Sequence, residues 1–290
     1  KYDMPVSEFS ESVDRVYEDL KPLYEGLQCH VRAELNEFYG DEVVPNEGSI
    51  PAHVLGNMWA QSWANVYDLV YQEESTGKSI DLTKVINDRG LTEVEMVEIA
   101  EDFFLSLGFE PLEDTFWERS LFVKPVDRNV VCHASAWDIN PKTQDLRIKM
   151  CIEKNAEDFV TIHHELGHIF YYQAYAHQPS VFQSGANDGF HEAVGDLLSL
   201  SITPNYLEKI GFVTKEEADL AKENSIAFLM KQALDGVVPT PWTLMLDKWR
   251  MAVFNGDLSE DEMNDYWWEL REKYQGVKSP IERPADAFDP

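Results

Sequence analysis

Residues 161–172 read TIHHELGHIFYY and contain His164-Glu165-Leu166-Gly167-His168, an H-E-x-x-H pattern. On a helix, residues four apart share a face and stand about 6 Å apart along the axis. Two imidazoles so placed can both bind one zinc ion at about 2.0–2.1 Å per bond. Glu165 lies beside them, placed to take a proton from a metal-bound water. The competing reading is a helix with polar surface histidines. Gly167 speaks against it, because a helix-interior glycine costs about 1 kcal/mol relative to alanine, so something must need the space.

A hydrolytic zinc site takes three protein ligands and keeps a fourth position open. The next acid-rich helical segment is NDGFHEAVGDLLSLS, 187–201. Glu192 and Asp196 are four apart at one end of a largely apolar helix, where charges are costly unless coordinated or hydrogen-bonded. Glu192 is assigned as the third ligand, and Asp196 as the acceptor for a ligand histidine's other N–H. Alone, the pair would read as a solvated face; beside the histidine helix it reads as part of the site. The 23 residues between His168 and Glu192 let the first helix end and a loop return. His163 points about 100° away from its neighbour on the helix and reads as packed, not ligating. His191 is read the same way, and His30, His53 and His177 as ordinary.

The elements that must hold this site are mostly helical. Apolar residues recur at three- and four-residue spacing over 7–38, with Pro22 predicting a break or kink. Ser49 followed by Pro51 predicts a helix start for 49–70. Further helices are expected at 82–88, 92–107, 156–177, 188–201, 215–235, 241–254 and 259–274. The short apolar stretches 130–134 and 146–150 predict one small antiparallel hairpin. With no internal repeat or dividing linker, 1–290 reads as a single domain.

Composition bounds the function. Of 290 residues 44% are apolar, enough for a real core, and no apolar run approaches the roughly 18 residues that span a membrane. Fifty-three acids against 24 bases give a net charge of −29, which excludes general nucleic-acid binding and anchoring on anionic lipid. No Asn-x-Ser/Thr acceptor occurs. Cys29, Cys132 and Cys151 cannot all pair within the chain. A Cys132–Cys151 bridge would close a hairpin and stabilise it by about 3 kcal/mol; spacing alone favours neither that bridge nor two free thiols.

HHELGH, 23 residues, then GFHEAVGD resembles the zinc site of the angiotensin-converting enzyme family, the peptidyl-dipeptidases. PAHVLGNMWAQSW (51–63), VVCHASAWD (130–138), LSLSITPNYLEKIGF (198–212), YWWELREKYQG (266–276) and AFDP (287–290) resemble family segments in the same order. The resemblance implies a mainly α, gluzincin-type zinc peptidase that removes dipeptides from free C-termini of oligopeptides. It assigns zinc to His164, His168 and Glu192, and the general base to Glu165. His133, Ala134 and Ala136 match the strand that binds peptide, as an exposed edge can, and Asp158 and Thr161 join the substrate-binding assignment. Gln61 matches the residue that meets the substrate's terminal carboxylate. The single-residue carboxypeptidase homologue has Arg there, which would grip the carboxylate one residue closer to the scissile bond. Trp267 and Arg271 match two members of a chloride site, and Cys132–Cys151 a family disulfide.

The hairpin is one residue longer than usual, and Pro239 and Trp242 replace family Phe residues in the pocket for the substrate's end. By the resemblance the chain is a partial catalytic domain. It lacks the N-terminal helices that cover the cleft and the C-terminal blocks that supply a Lys for the carboxylate, a His and a Tyr for the tetrahedral intermediate, and an Arg for a second chloride. The disulfide and the family habit imply an oxidising compartment, periplasmic or extracellular, in a bacterial member. Rival readings are a non-catalytic relative and an unrelated zinc endopeptidase sharing the motif.

Overall fold

A computed structural model describes residues 3–71, 80–223, 225–284 and 286–290. The chain forms two compact units. One comprises the described residues within Lys1–Ser79 and Glu223–Pro290, the other Ile80–Lys222.

The first unit starts with α1 (Val6–Tyr39), whose Tyr17, Tyr24, Leu27, Val31 and Leu35 form the buried stripe. Pro22 lies inside α1 without ending it. It removes one hydrogen-bond donor, but packing holds the helix on both sides: the Tyr17 hydroxyl donates to the Tyr274 carbonyl at 3.3 Å and the Tyr24 hydroxyl to the Gln275 carbonyl at 2.6 Å. The helix expected over 49–70 is not formed as one element. The segment contains β1 (Ile50–Pro51), 3₁₀ turns at Ala52–Val54 and Ala64–Val66, and the single turn α2 (Tyr67–Val70). The Ile50 N–H donates to the Gly276 carbonyl at 2.8 Å, so the backbone is drawn into a strand, and the Ser49 hydroxyl donates to Glu272 instead of capping a helix. Gly56, at φ +84°, turns where a Cβ would lie 1.6 Å from the Asn65 amide nitrogen.

The second unit contains α3 (Leu82–Asp88), α4 (Glu93–Ser106), α5 (Asp114–Arg119), β2 (Ser135–Asn140), β3 (Asp145–Lys149), α6 (Ala156–Tyr175), α7 (Asp188–Ser199), α8 (Pro204–Lys209) and α9 (Lys215–Glu223). Asp81 caps α3, and Thr92 with Glu95 closes a capping box on α4. The predicted hairpin exists, with β2 and β3 antiparallel from Ser135↔Lys149 to Asn140↔Asp145. Its first strand lies at 135–140, not at 130–134. Cys132 is bonded to Cys151 just outside the ladder, and Val131 is 73% exposed, so the apolar stretch marks the bridge and not a strand. Phe104, Phe159, Ile162, Leu166, Ile169 and Phe170 sit at the core of this unit, Phe104 stacked on Phe170 at 4.4 Å. The turns α5 and α8 were not anticipated, although Thr203 and Pro204 are a readable start for α8.

The first unit resumes with α10 (Ser225–Gln232), a π-helical turn at Ala233–Val237, α11 (Pro239–Asn255), α12 (Met263–Leu270), a second π-helical turn at Arg271–Gln275 and β4 (Val277–Lys278). β4 pairs in parallel with β1, Ile50 opposite Val277. The helices expected at 215–235 and 259–274 are thus composites. Among the described residues no helix is long and apolar enough to cross a membrane.

Candidate metal centre

Helix α6 begins where the Asn155 side chain accepts the Asp158 N–H at 2.7 Å, and it carries His164, Glu165 and His168 on consecutive turns. Helix α7 begins on Asn187, whose side chain accepts the Gly189 N–H at 2.9 Å, and carries Glu192 and Asp196. The two helices touch through glycines. A Cβ on Gly167 would lie 2.8 Å from the Gly195 Cα, and a Cβ on Gly195 would lie 2.8–3.0 Å from three atoms of the His164 ring. Any larger residue would wedge the helices apart. The space that Gly167 implied is therefore taken by backbone.

This approach brings the predicted ligands together. Glu192 Oε2 stands 3.4 Å from His164 Nε2 and 3.8 Å from His168 Nε2, and the three donor atoms lie within 4.8 Å of one another. Ligands at about 2.0–2.1 Å around a tetrahedral zinc are about 3.3 Å apart. The two separations from the carboxylate oxygen are near that spacing and the third is within 4.8 Å, so the group can close on such an ion, and no other such group of His, Cys, Asp or Glu is found among the described residues. Asp196 Oδ1 lies 3.0 Å from His164 Nδ1 and accepts its N–H. That contact fixes the tautomer and leaves Nε2 bare for a metal.

Glu165 is buried, and its Oε2 has no hydrogen-bond partner among the described residues. Burial, above all, raises its pKa, opposed by His164 and reinforced by the Glu192 charge. Burial likewise lowers the pKa of His168, which favours the neutral, ligating form. His163 is packed, as expected. Its Nδ1–H donates to the Phe159 carbonyl at 2.8 Å, its Nε2 accepts from the Tyr206 hydroxyl at 3.1 Å, and burial lowers its pKa to about 4. His191 sits against the Tyr171, Tyr172 and His168 rings, with its Nε2 3.0 Å from the Tyr175 hydroxyl.

The remaining predicted residues are placed as follows. His133 precedes β2, its Nδ1 2.7 Å from the Ala134 carbonyl; Ala134 and Ala136 rest on the core of their unit. Asp158 and Thr161 are engaged within their own segment. The Asp158 carboxylate accepts the Glu153 N–H at 2.6 Å, and the Thr161 hydroxyl donates to the Glu157 carbonyl at 3.0 Å. In the first unit, Gln61 lies in the loop before Trp63, its amide oxygen buried and without a hydrogen-bond partner among the described residues. Trp267 and Arg271 are both buried, and neither Trp267 Nε1 nor Arg271 Nη2 has a partner among the described residues. Burial lowers the Arg271 pKa to about 10. Sequence reasoning passed over Gly195, although its place inside an apolar helix is the same signal that singled out Gly167.

The family model described as angiotensin-converting enzyme, peptidase M2, matches residues 1–290. Angiotensin-converting enzyme of Bos taurus is 47% identical over all of this chain and 22% of its own length. That of Haematobia irritans exigua is 44% identical over 97% of this chain and 46% of its own, and that of Theromyzon tessulatum 42% over 99% and 46%. The chain thus spans less than half the length of these relatives. Together with the two histidines and the carboxylate that the crossing helices assemble, this match shows that the chain belongs to the angiotensin-converting enzyme family.

Proposed function

We propose that the chain carries the zinc centre of a peptidyl-dipeptidase and is part of its catalytic domain. The observation that supports this most directly is the convergence of His164, His168 and Glu192 on one point, with Asp196 orienting the first. A zinc ion held there would lower the pKa of a bound water towards about 7 and polarise the scissile carbonyl. Glu165 takes the proton of the attacking water at its buried carboxylate, then delivers it to the leaving amine as the carbon–nitrogen bond breaks. His133, Ala134 and Ala136 are assigned to the substrate backbone, and Asp158 and Thr161, early in the helix that carries the motif, to substrate binding. Gln61 is assigned to the substrate's terminal carboxylate. Gln rather than Arg at that position favours dipeptide over single-residue release. Trp267 Nε1 and Arg271 Nη2, without hydrogen-bond partners among the described residues, support chloride binding, because a buried cation with free N–H donors is stabilised by an anion on them. The disulfide supports an oxidising compartment, periplasmic or extracellular.

The test uses the full-length parent protein and oligopeptides with free or amidated C-termini, with products identified by mass. Dipeptide release from free C-termini only, abolished by Glu165→Gln with zinc retained, is the expected result. Cleavage of amidated peptides would point to an endopeptidase, and Glu165→Gln turnover at the wild-type rate would overturn the general-base assignment.

A further inference from the structure

The loop that carries Gln61 is held by one buried side chain outside it. Gln275 is fully buried at the end of the second π-helical turn, and its Nε2 donates to the Trp59 carbonyl at 3.1 Å and the Ala60 carbonyl at 3.4 Å. Ala60 has φ +51°, a conformation that alanine seldom adopts and that persists only where its surroundings enforce it. The Trp63 indole N–H also donates to the Ala60 carbonyl, at 3.1 Å. The other end of the Gln275 amide faces Arg271, whose Nε–H donates to Gln275 Oε1 at 3.1 Å. The orientation of this amide is forced, because guanidinium only donates and backbone carbonyls only accept. One side chain therefore connects the guanidinium with the unpartnered Nη2 to the carbonyl immediately before Gln61.

We propose that Gln275 is a positioning residue that transmits occupancy of the Arg271–Trp267 anion site to the backbone bearing Gln61; this rests on the chloride reading above. Among the described residues the guanidinium makes one hydrogen bond, through Nε–H, and lies over the Trp268 ring, 4.7 Å from its centroid. An anion on its remaining N–H groups fixes the guanidinium plane, and with it the bond to Gln275 Oε1. The two bonds from Gln275 Nε2 then hold Trp59 and Ala60 in place. The device sets where the substrate's carboxylate is received and leaves the metal ligands untouched.

The experiment titrates chloride against gluconate at constant ionic strength on the full-length parent protein. Chloride binding is read from chlorine-35 NMR line broadening, and loop order from amide hydrogen exchange of peptides covering 57–63. In the wild type, chloride slows exchange there by about two- to tenfold, the factor that one net hydrogen bond supplies. In Gln275→Met, similar in length but without the amide, chloride still binds and the slowing disappears. Gln275→Glu guards against misfolding of the first variant. It keeps an acceptor for Arg271 but offers the carbonyls no donor, so its loop exchanges fast at every chloride concentration. Chloride binding with no slowing in the wild type, or with undiminished slowing in Gln275→Met, overturns the relay and leaves the anion site standing. A slow-exchanging loop in Gln275→Glu overturns it equally. No chloride binding by the wild type overturns the anion reading itself, and the relay with it.

Discussion

Gly195→Ala tests whether the helix crossing sets the metal geometry. The added Cβ would meet His164 Nδ1 at 2.8 Å, Cε1 at 2.9 Å and Cγ at 3.0 Å. Non-bonded carbon contacts prefer about 3.5–4.0 Å, so either α7 must retreat or the His164 ring must turn, by about half an ångström or more. Both responses strain the 3.0 Å bond from His164 to Asp196 and widen the 3.4 Å separation of His164 from Glu192. Alanine's better helix propensity contributes up to about 1 kcal/mol, against an overpacking cost of about 1–3 kcal/mol. The metal-free protein should therefore lose only about 0–2 kcal/mol. Zinc affinity should fall by about 10–100-fold, the usual effect of disturbing what orients a ligand. Competition with a chromogenic chelator measures the affinity, and urea unfolding of the chelated protein measures the stability. Wild-type zinc affinity in a folded Gly195→Ala protein would refute the argument that backbone contact positions the ligands.

Asp196→Asn offers His164 a weaker acceptor, and zinc affinity should fall about 10–100-fold in the same competition assay. His163 makes the metal-free protein acid-sensitive: its folded pKa of about 4 lies below the unfolded value of about 6.5, so the unfolded chain binds the extra proton. Stability should be complete above pH 6.5 and decline by up to about 3 kcal/mol as pH falls towards 4, and His163→Phe should flatten that slope in urea melts. Reducing Cys132–Cys151, 19 positions apart, should lower stability by about 3 kcal/mol, seen as a lower urea midpoint in reductant.

The grouping of the candidate metal ligands was legible because its information is local. His164 and His168 are one turn apart, Glu192 and Asp196 are one turn apart, and helical periodicity alone puts each pair on a face. Gly167 announced the close contact, though not its partner. What sequence reasoning missed depended on distant residues. Segment 49–70 carries a valid helix start, yet Ile50 is claimed by Gly276 and Val277. Val130 and Val131 looked like a strand because a disulfide beside a hairpin leaves the same apolar trace. Pro22 proved compatible with a helix that tertiary contacts hold on both sides, which no local propensity records.

The parallel pairing of β1 with β4 has a consequence for how the chain acquires its structure. All three candidate metal ligands and the hairpin lie within one uninterrupted stretch, Ile80–Lys222, and such short-range connectivity forms quickly. The first unit must instead recruit its opening helix across the whole chain, as the Tyr24 hydroxyl does in reaching Gln275, 251 positions away. During synthesis from the N-terminus the stretch carrying the candidate ligands emerges whole while Tyr17 and Tyr24 of α1 still wait for Tyr274 and Gln275. Until α12 and the π-helical turn after it leave the ribosome, the Tyr17 and Tyr24 part of the α1 stripe is without its hydrogen-bond acceptors.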